Sequence, residues 1–158
     1  MSETENKETE KVTPKDIGKI AIVLVRGKIN TKQTIRDTFD MLRLQRKNTC
    51  VVVENNPITL GMIKKVKDFI TWGEIDDATI HALIEKRGEE YKGPEKSSNG
   101  KIAYKKFFVH DGKKYKKYFR LNPPRKGFGR KGIKIPFKVG GALGYRKDKM
   151  VDLIQRMI

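Results

Sequence analysis

Cysteine occurs once in the 158 residues, at Cys50, and serine only at Ser2, Ser97 and Ser98. A lone thiol forms no internal disulfide, which fits a reducing compartment and argues against a secreted, disulfide-stapled domain. No apolar run approaches the ~18 residues of a membrane-spanning helix. The opening Met1-Ser2-Glu3-Thr4-Glu5 is polar and acidic, where a signal peptide would be basic and then apolar. Only 37% of residues are apolar and 35% are charged, so the core is small for the length. His81, His110 and Cys50 fall on three different predicted elements with no C-x-x-C or H-x-x-x-H spacing, and no metal site is expected. The three serines lie in predicted loops or tails, away from any base that could activate them.

What the chain has in excess is positive charge, 36 Lys and Arg against 19 Asp and Glu for a net +17. Residues 101–147 hold 16 of those cations and a single acid, Asp111, which puts +15 into 47 residues. The same window holds nine of the thirteen aromatics and half of the glycines. Unneutralised charge at that density resists compaction, so it marks a surface made for a polyanion. A nuclease using paired metals would need several carboxylates inside such a groove, and Asp111 stands alone there. No enzyme, cofactor or small-molecule substrate is expected.

Residues 1–16 are polar, charged and without periodicity, the pattern of a disordered tail. Ile20-Ala21-Ile22-Val23-Leu24-Val25 predicts a buried strand, punctuated by Arg26-Gly27. Thr31 is the expected N-cap of a helix reaching about Leu44, with Ile35, Phe39 and Leu42 on one face. Cys50-Val51-Val52-Val53 is a second strand, and Asn56-Pro57 opens a second helix whose buried face is expected to hold Ile58, Met62, Val66 and Phe69. A third short strand is expected over Phe69-Ile70-Thr71-Trp72, stopped by Gly73. Residues 17–75 thus predict an α+β class core of β-α-β-α-β order, with two helices on one face of a small sheet.

Beyond this core, Asp76 or Asp77 caps a helix bearing Ile80, Leu83 and Ile84 that Gly88 ends. Residues 92–100 form a loop, Asp111-Gly112 offers a hairpin turn, and the prolines and glycines between Leu121 and Gly144 disfavour regular structure. A closing helix from Arg146 to about Met157, with Met150, Val151, Ile154 and Met157 or Ile158 on one side, is expected to pack back on the core. The resulting division is a tail (1–16), a core domain (17–75), a helix plus basic extension (76–145) and a terminal helix (146–158).

Two motifs invite a sharper interpretation. Gly127-Phe128-Gly129-Arg130-Lys131-Gly132 matches G-x-G-x-x-G, but Pro123-Pro124 before it and Pro136 after it deny the strand and helix that a dinucleotide site needs. Its glycines are expected to let backbone amides approach phosphates. Trp72 within Thr71-Trp72-Gly73-Glu74 is either a packed indole at a strand end, the favoured view, or a platform for a base.

Several stretches together resemble the L-thirty family of large-ribosomal-subunit proteins in its archaeal form, whose eukaryotic counterpart is called L-seven. They are Arg26-Gly27, Leu42-Arg43-Leu44, the run Gly61-Met62-Ile63-Lys64-Lys65-Val66-Lys67-Asp68, Thr71-Trp72-Gly73-Glu74, Pro123-Pro124-Arg125, Gly140-Gly141 and Leu153-Ile154-Gln155-Arg156-Met157. Residues 142–145, Ala-Leu-Gly-Tyr, depart from the pattern, which has an acid early and Asn before Arg146. The resemblance implies a three-stranded antiparallel sheet with two helices on one face, a relative of ferredoxin-like folds. It also implies a cytoplasmic structural protein whose partners are large-subunit ribosomal RNA and neighbouring ribosomal proteins, with no membrane.

On this view the 101–147 segment threads between RNA helices and orders on meeting them. Arg120, Arg125, Arg130 and Arg146 are the expected phosphate clamps, because a guanidinium fork suits phosphate better than an ammonium. Lys113, Lys114, Lys116, Lys117, Lys126, Lys131, Lys134 and Lys147 add less selective charge. Tyr115, Tyr118, Phe119 and Phe128 divide between stacking on bases and packing in the core, and Arg26, Lys28, Arg43, Arg46 and Lys47 give the core a second footprint. The alternative is a free-standing nucleic-acid module, a chromatin-type DNA binder or RNA chaperone.

Overall fold

The computed structural model describes residues 18–158, and the tail expected over 1–16 lies outside the described residues. Strand β1 (Lys19–Leu24) is the centre of the molecule, because it alternates between two apolar faces: Ile20, Ile22 and Leu24 point one way and Ala21 and Val23 the other. It pairs antiparallel on one side with β2 (Thr49–Glu54) and on the other with β3 (Ile70–Ile75). Helices α1 (Gln33–Met41) and α2 (Pro57–Val66) cover the first face, where Phe39, Leu42, Ile63 and Val66 meet Ile22 and Leu24. The structure thus has the α+β core expected, with two helices on one face of a three-stranded antiparallel sheet.

The opposite face is covered as well. Helix α3 (Asp77–Arg87) and the terminal helix α4 (Lys149–Met157) bring Leu83, Ile84, Met150, Leu153 and Ile154 onto Ala21, Val23 and Cys50. Asp76 caps α3 by accepting from the Thr79 N–H at 3.3 Å, and Gly88 closes it. The buried stripe of α4 is Met150, Leu153, Ile154 and Met157, an i, i+3, i+4, i+7 set, with Val151 only half-buried at its margin.

The basic segment carries the hairpin its turn pair predicts and is largely irregular from Leu121 to Leu143. Its hairpin, β4 (Phe107–His110) and β5 (Lys113–Lys116), turns at Asp111 and Gly112, whose φ of 49° and 75° are the two left-handed positions that such a two-residue turn needs. Two short strands then extend the core sheet: β6 (Phe119–Arg120) beside β2, and β7 (Gly144–Tyr145) parallel to β3, giving the order β6-β2-β1-β3-β7. One 3-10 turn, Phe137–Val139, lies between them. The segment is thereby tied into both sheet edges.

Local differences from expectation have local causes. Thr31 does not cap α1, since its hydroxyl donates to the Lys28 carbonyl at 2.7 Å and Lys32 takes the cap position. That helix ends three residues early because Arg43 adopts φ 58° and the Leu44 N–H turns back to Phe39 O. In α2, Val66 is buried as expected and Met62 is half-buried, but Ile58 is exposed and Ile63 takes its place against the sheet. Apolar residues surround the first two turns of that helix, so spacing alone does not fix its rotation. Nor does Gly73 stop β3: a Cβ there would lie 2.5 Å from Lys147 O and 2.7 Å from Met150 Cβ, so the glycine continues the strand to let α4 cross it.

Gly73→Ala is expected to destabilise the fold by about 1–3 kcal/mol through this overpacking against rigid backbone. Denaturant titration by far-UV circular dichroism measures it, and Gly61→Ala, which meets nothing within 4 Å, is the matched control.

Candidate nucleic-acid interface

The fold brings cations of the core, from the loop after α1, beside those of the basic extension. The loop after α1 carries Arg43, Arg46 and Lys47, and β5 and β6 run beside it because β6 pairs with the start of β2. Between them lies a cavity of about 440 Å³ lined by Arg43, Arg46, Lys106, Lys116, Arg120 and the rings of Tyr91 and Tyr118. The Tyr118 ring is flanked by two of these cations, Lys116 Nζ and the Arg120 guanidinium, each 5.7 Å from its centroid. Glu89 partly neutralises the cluster, at 2.8 Å from Lys116 and 3.6 Å from Arg120. The lysine hydrogen bond holds its carboxyl below the usual range, and Lys116 is raised in return. Asp40, on the cavity wall, is engaged by Lys28 at 3.0 Å.

A second basic recess, about 260 Å³, sits at the other end of the extension and is lined by Lys126, Phe128, Arg130, Phe137, Lys149 and Arg156 among others. Arg156 there donates to Asp152 at 3.1 Å and to the carbonyls of Arg125 and Gly127 at 3.0 and 2.9 Å. Arg125, Lys126, Arg130, Lys131, Lys134 and Lys147 are all exposed on this loop surface, and Lys113 is exposed on the hairpin. Lys114 is ion-paired with Glu95.

Four expected contact residues are placed differently. Arg146, expected as a phosphate clamp, is buried at 3% exposure: its Nε donates to Thr71 Oγ1 at 2.9 Å, and one terminal nitrogen donates to Phe128 O and Ala142 O at 2.9 and 3.0 Å. Its guanidinium also lies 4.4 Å from the Phe137 ring centroid. Burial pushes its pKa down to about 10, with Arg156 adding to the effect, so the group still carries its charge at neutral pH inside the protein. Phe119 is buried in the core beside Phe108 and does not present a face for stacking. Arg26 and Lys28 are turned onto the core, Arg26 donating to Asp68 O at 3.1 Å and resting 5.1 Å from the Phe69 centroid, Lys28 bound to Asp40.

The remaining aromatics divide. Tyr115 packs half-buried against Phe108, and Phe128 against the buried residues Val25, Ala142 and Leu143. Tyr118 keeps a face on the cavity. Trp72 stacks on Tyr145 at 6.4 Å and is half-buried, in line with the packed-indole view. The G-x-G-x-x-G loop serves chain packing at its middle glycine, because a Cβ on Gly129 would lie 2.5 Å from Gly141 O. Sequence reasoning missed Lys106 and Tyr91. The signal for Lys106 is hairpin register, since its neighbour Phe107 faces Lys116 across the turn; Tyr91 comes from a loop, joined to the hairpin by its N–H to Lys114 O.

The two histidines do come together, with ring centroids 5.0 Å apart, but no third ligating group joins them among the described residues. Among those residues no helix is long and apolar enough to cross a membrane.

Comparison with known proteins adds to this geometry. The family model described as ribosomal protein L30p/L7e matches residues 20–70, from β1 to the first residue of β3. The chain is 41% identical over 152 residues to the large ribosomal subunit protein uL30 of Methanopyrus kandleri, covering 85% of this chain and 100% of that protein. It is 44% identical over 152 residues to the protein of the same name from Methanococcus maripaludis, covering 87% and 98%. To that of Nanoarchaeum equitans it is 42% identical over 158 aligned positions.

Two predictions follow from the buried groups. Arg146→Ala is expected to cost at least ~2 kcal/mol, since a buried hydrogen bond to a charged group contributes about 1.5–3 kcal/mol; thermal melting measures it. Burial raises the Cys50 thiol to about 12, so folding favours the protonated form. That contribution is intact below the unfolded-state value of about 8.5 and fades as pH climbs towards 12. Cys50→Ala is therefore expected to flatten the alkaline loss of stability. Iodoacetamide at pH 8 should label Cys50 only in denaturant.

Proposed function

The chain belongs to the family of ribosomal protein L30p/L7e, and from that premise we propose that it is a structural, non-catalytic protein of the large ribosomal subunit in the cytoplasm. In this role it binds ribosomal RNA, contacts neighbouring ribosomal proteins, and supports subunit assembly and translation. The observation that carries the RNA-binding role is the convergence of Arg43 and Arg46 from the core with Lys106, Lys116 and Arg120 from the extension around one aromatic-walled cavity.

RNA suits these groups. A-form major grooves are too narrow for side chains, so contacts fall on phosphates, 2′-hydroxyls and unstacked bases. Arg46, Arg120, Arg125 and Arg130 act as forks on phosphates, while Lys47, Lys113, Lys126, Lys131, Lys134 and Lys147 neutralise the surrounding backbone. Tyr118, set between cations, offers a ring face to a splayed base. Because the extension is bonded to both sheet edges, the two basic surfaces keep a fixed spacing, which rewards one RNA shape over others.

Sedimentation of tagged protein in source-cell lysate, with magnesium lowered to split the subunits, is the direct test. Stoichiometric co-migration with the large subunit through a moderate salt wash is expected. A peak at the top of the gradient would leave a free-standing nucleic-acid binder. With purified protein and structured RNA, neutralising six to ten phosphates implies an affinity loss of roughly 10³–10⁵-fold between 50 and 200 mM salt. A flat salt dependence would remove the electrostatic mechanism.

A further inference from the structure

The edge of the core sheet holds a surface of another kind. Strand β6 pairs only with Thr49 and Cys50, so among the described residues β2 continues from Val51 to Glu54 without a neighbour on its outer side. The ladder fixes which groups that leaves. The Asn55 N–H donates to Gly18 O on the β1 side, and the Leu121 N–H donates to Asn48 O on the β6 side. Odd-numbered residues of β2 therefore address β1 and even-numbered ones face outward. Val52 directs both its N–H and its C=O past the end of β6, and no loop or bridge among the described residues meets them. The outward Glu54 carbonyl, by contrast, is taken by the Thr59 hydroxyl and the Asn56 N–H.

This edge opens into a cavity of about 430 Å³ between the two helical layers. Val52, Ile80 and Phe108 form one wall, and Val53, Met41 and Met62 the other. Its rim is cationic. Lys117 and Arg43 line it, and Arg43 donates to the Lys105 carbonyl at 3.1 Å. None of these three cations has a carboxylate partner among the described residues. Desolvation, with Arg43 and Lys105 close by, lowers the Lys117 pKa. Lys19, also on the rim, is already paired with Asp77.

RNA would satisfy the rim but not the trough, since a phosphate gains nothing from two aliphatic walls and cannot supply an alternating ladder of amide donors and acceptors. An extended polypeptide supplies both. We propose that this cavity receives an extended segment of another protein, apolar at its centre and acidic at its flanks, which adds as a short strand to the outer edge of β2 and sets carboxylates against Arg43, Lys105 and Lys117. This is strand addition, with affinity from main-chain bonds and specificity from the pockets on either side. It does not rest on the RNA-binding role.

The test uses the purified full chain and a blocked peptide, Asp-Glu-Val-Ile-Val-Glu-Asp, read by amide hydrogen exchange. Saturation is expected to slow exchange at Val52 and Glu54 by about tenfold or more while the β1-facing amides stay unchanged. Lys105→Glu with Lys117→Glu should weaken binding by roughly tenfold or more. Val52→Pro, which removes an outward N–H, should abolish it. Should that variant unfold, the same peptide methylated on alternate backbone nitrogens probes the same bonds against native protein and is expected not to bind. Peptide binding that leaves Val52 exchange unchanged, equal binding of the methylated peptide, or no binding at about 1 mM would each overturn the proposal. Protection of the same amides by a uridine oligonucleotide in place of the peptide would assign the cavity to RNA.

Discussion

A guanidinium taken out of water, that of Arg146, is what the extension depends on for its place in the fold. Burying such a charge costs several kcal/mol even after relaxation, and here the cost is offset by bonds to Thr71 Oγ1, Phe128 O and Ala142 O and by the Phe137 ring. The partners belong to β3, to the glycine loop and to the approach to β7, so one side chain joins three segments that also pack and pair with one another. Thr71 in turn donates its hydroxyl to Gly144 O at 2.9 Å, so the arginine and the threonine form one buried bridge between the core sheet and its added edge. Arg156 repeats the device at the surface with the carbonyls of Arg125 and Gly127. A stretch rich in proline and glycine has few ladder bonds for its carbonyls, and two arginines supply the missing donors.

Charge is therefore used in two ways within one basic segment. Some cations are consumed internally, Arg146 on carbonyls, as Arg156 is in α4, and Lys114 and Lys116 on Glu95 and Glu89. The acids that do this lie just outside the densest run, in the loop after α3. The others from Lys113 to Lys134, the half-buried Lys117 apart, stay exposed and, among the described residues, free of ion pairs apart from those named. Internal consumption holds the segment in shape, and the exposed remainder gives that shape its field. Composition alone counts both as the same residue type.

The core was legible for that reason and the site only in part. Strand β1, the Asp76 cap, the Asp111-Gly112 turn and the amphipathic α4 are local signals, each written within a few consecutive residues. Gly73 shows the limit: a glycine after a short apolar run looks like a stop, and only the crossing of α4, seventy-odd residues later, makes it a strand residue. Arg146 shows the same limit in the site. Nothing near it in sequence says that Thr71 and Phe128 will surround it, so it is counted with the exposed arginines. Phe119 is buried because β6 pairs with Cys50, and Lys106 joins the cavity because the hairpin register puts it there. Gly73, Arg146 and Phe119 each owe their place to a contact distant in sequence.

The two faces of β1 explain why the sheet edges matter. With α1 and α2 on one face and α3 and α4 on the other, the edges are the places left where backbone groups can reach anything new. The extension occupies both edges but with two-residue strands, enough to set register and not enough to cover β2. A short β6 thus has two consequences at once. It brings Arg120 and Tyr118 beside Arg43 and Arg46, which builds the basic cavity, and it stops before Val52, which leaves the apolar one open. Arg43 lines both cavities, at a left-handed residue that ends α1. A β6 lengthened in the same register would set Tyr118 opposite Val51 and Lys117 opposite Val52, covering the outward groups of Val52 and drawing both side chains out of their present cavities, so the cationic and apolar surfaces are set by one and the same strand length.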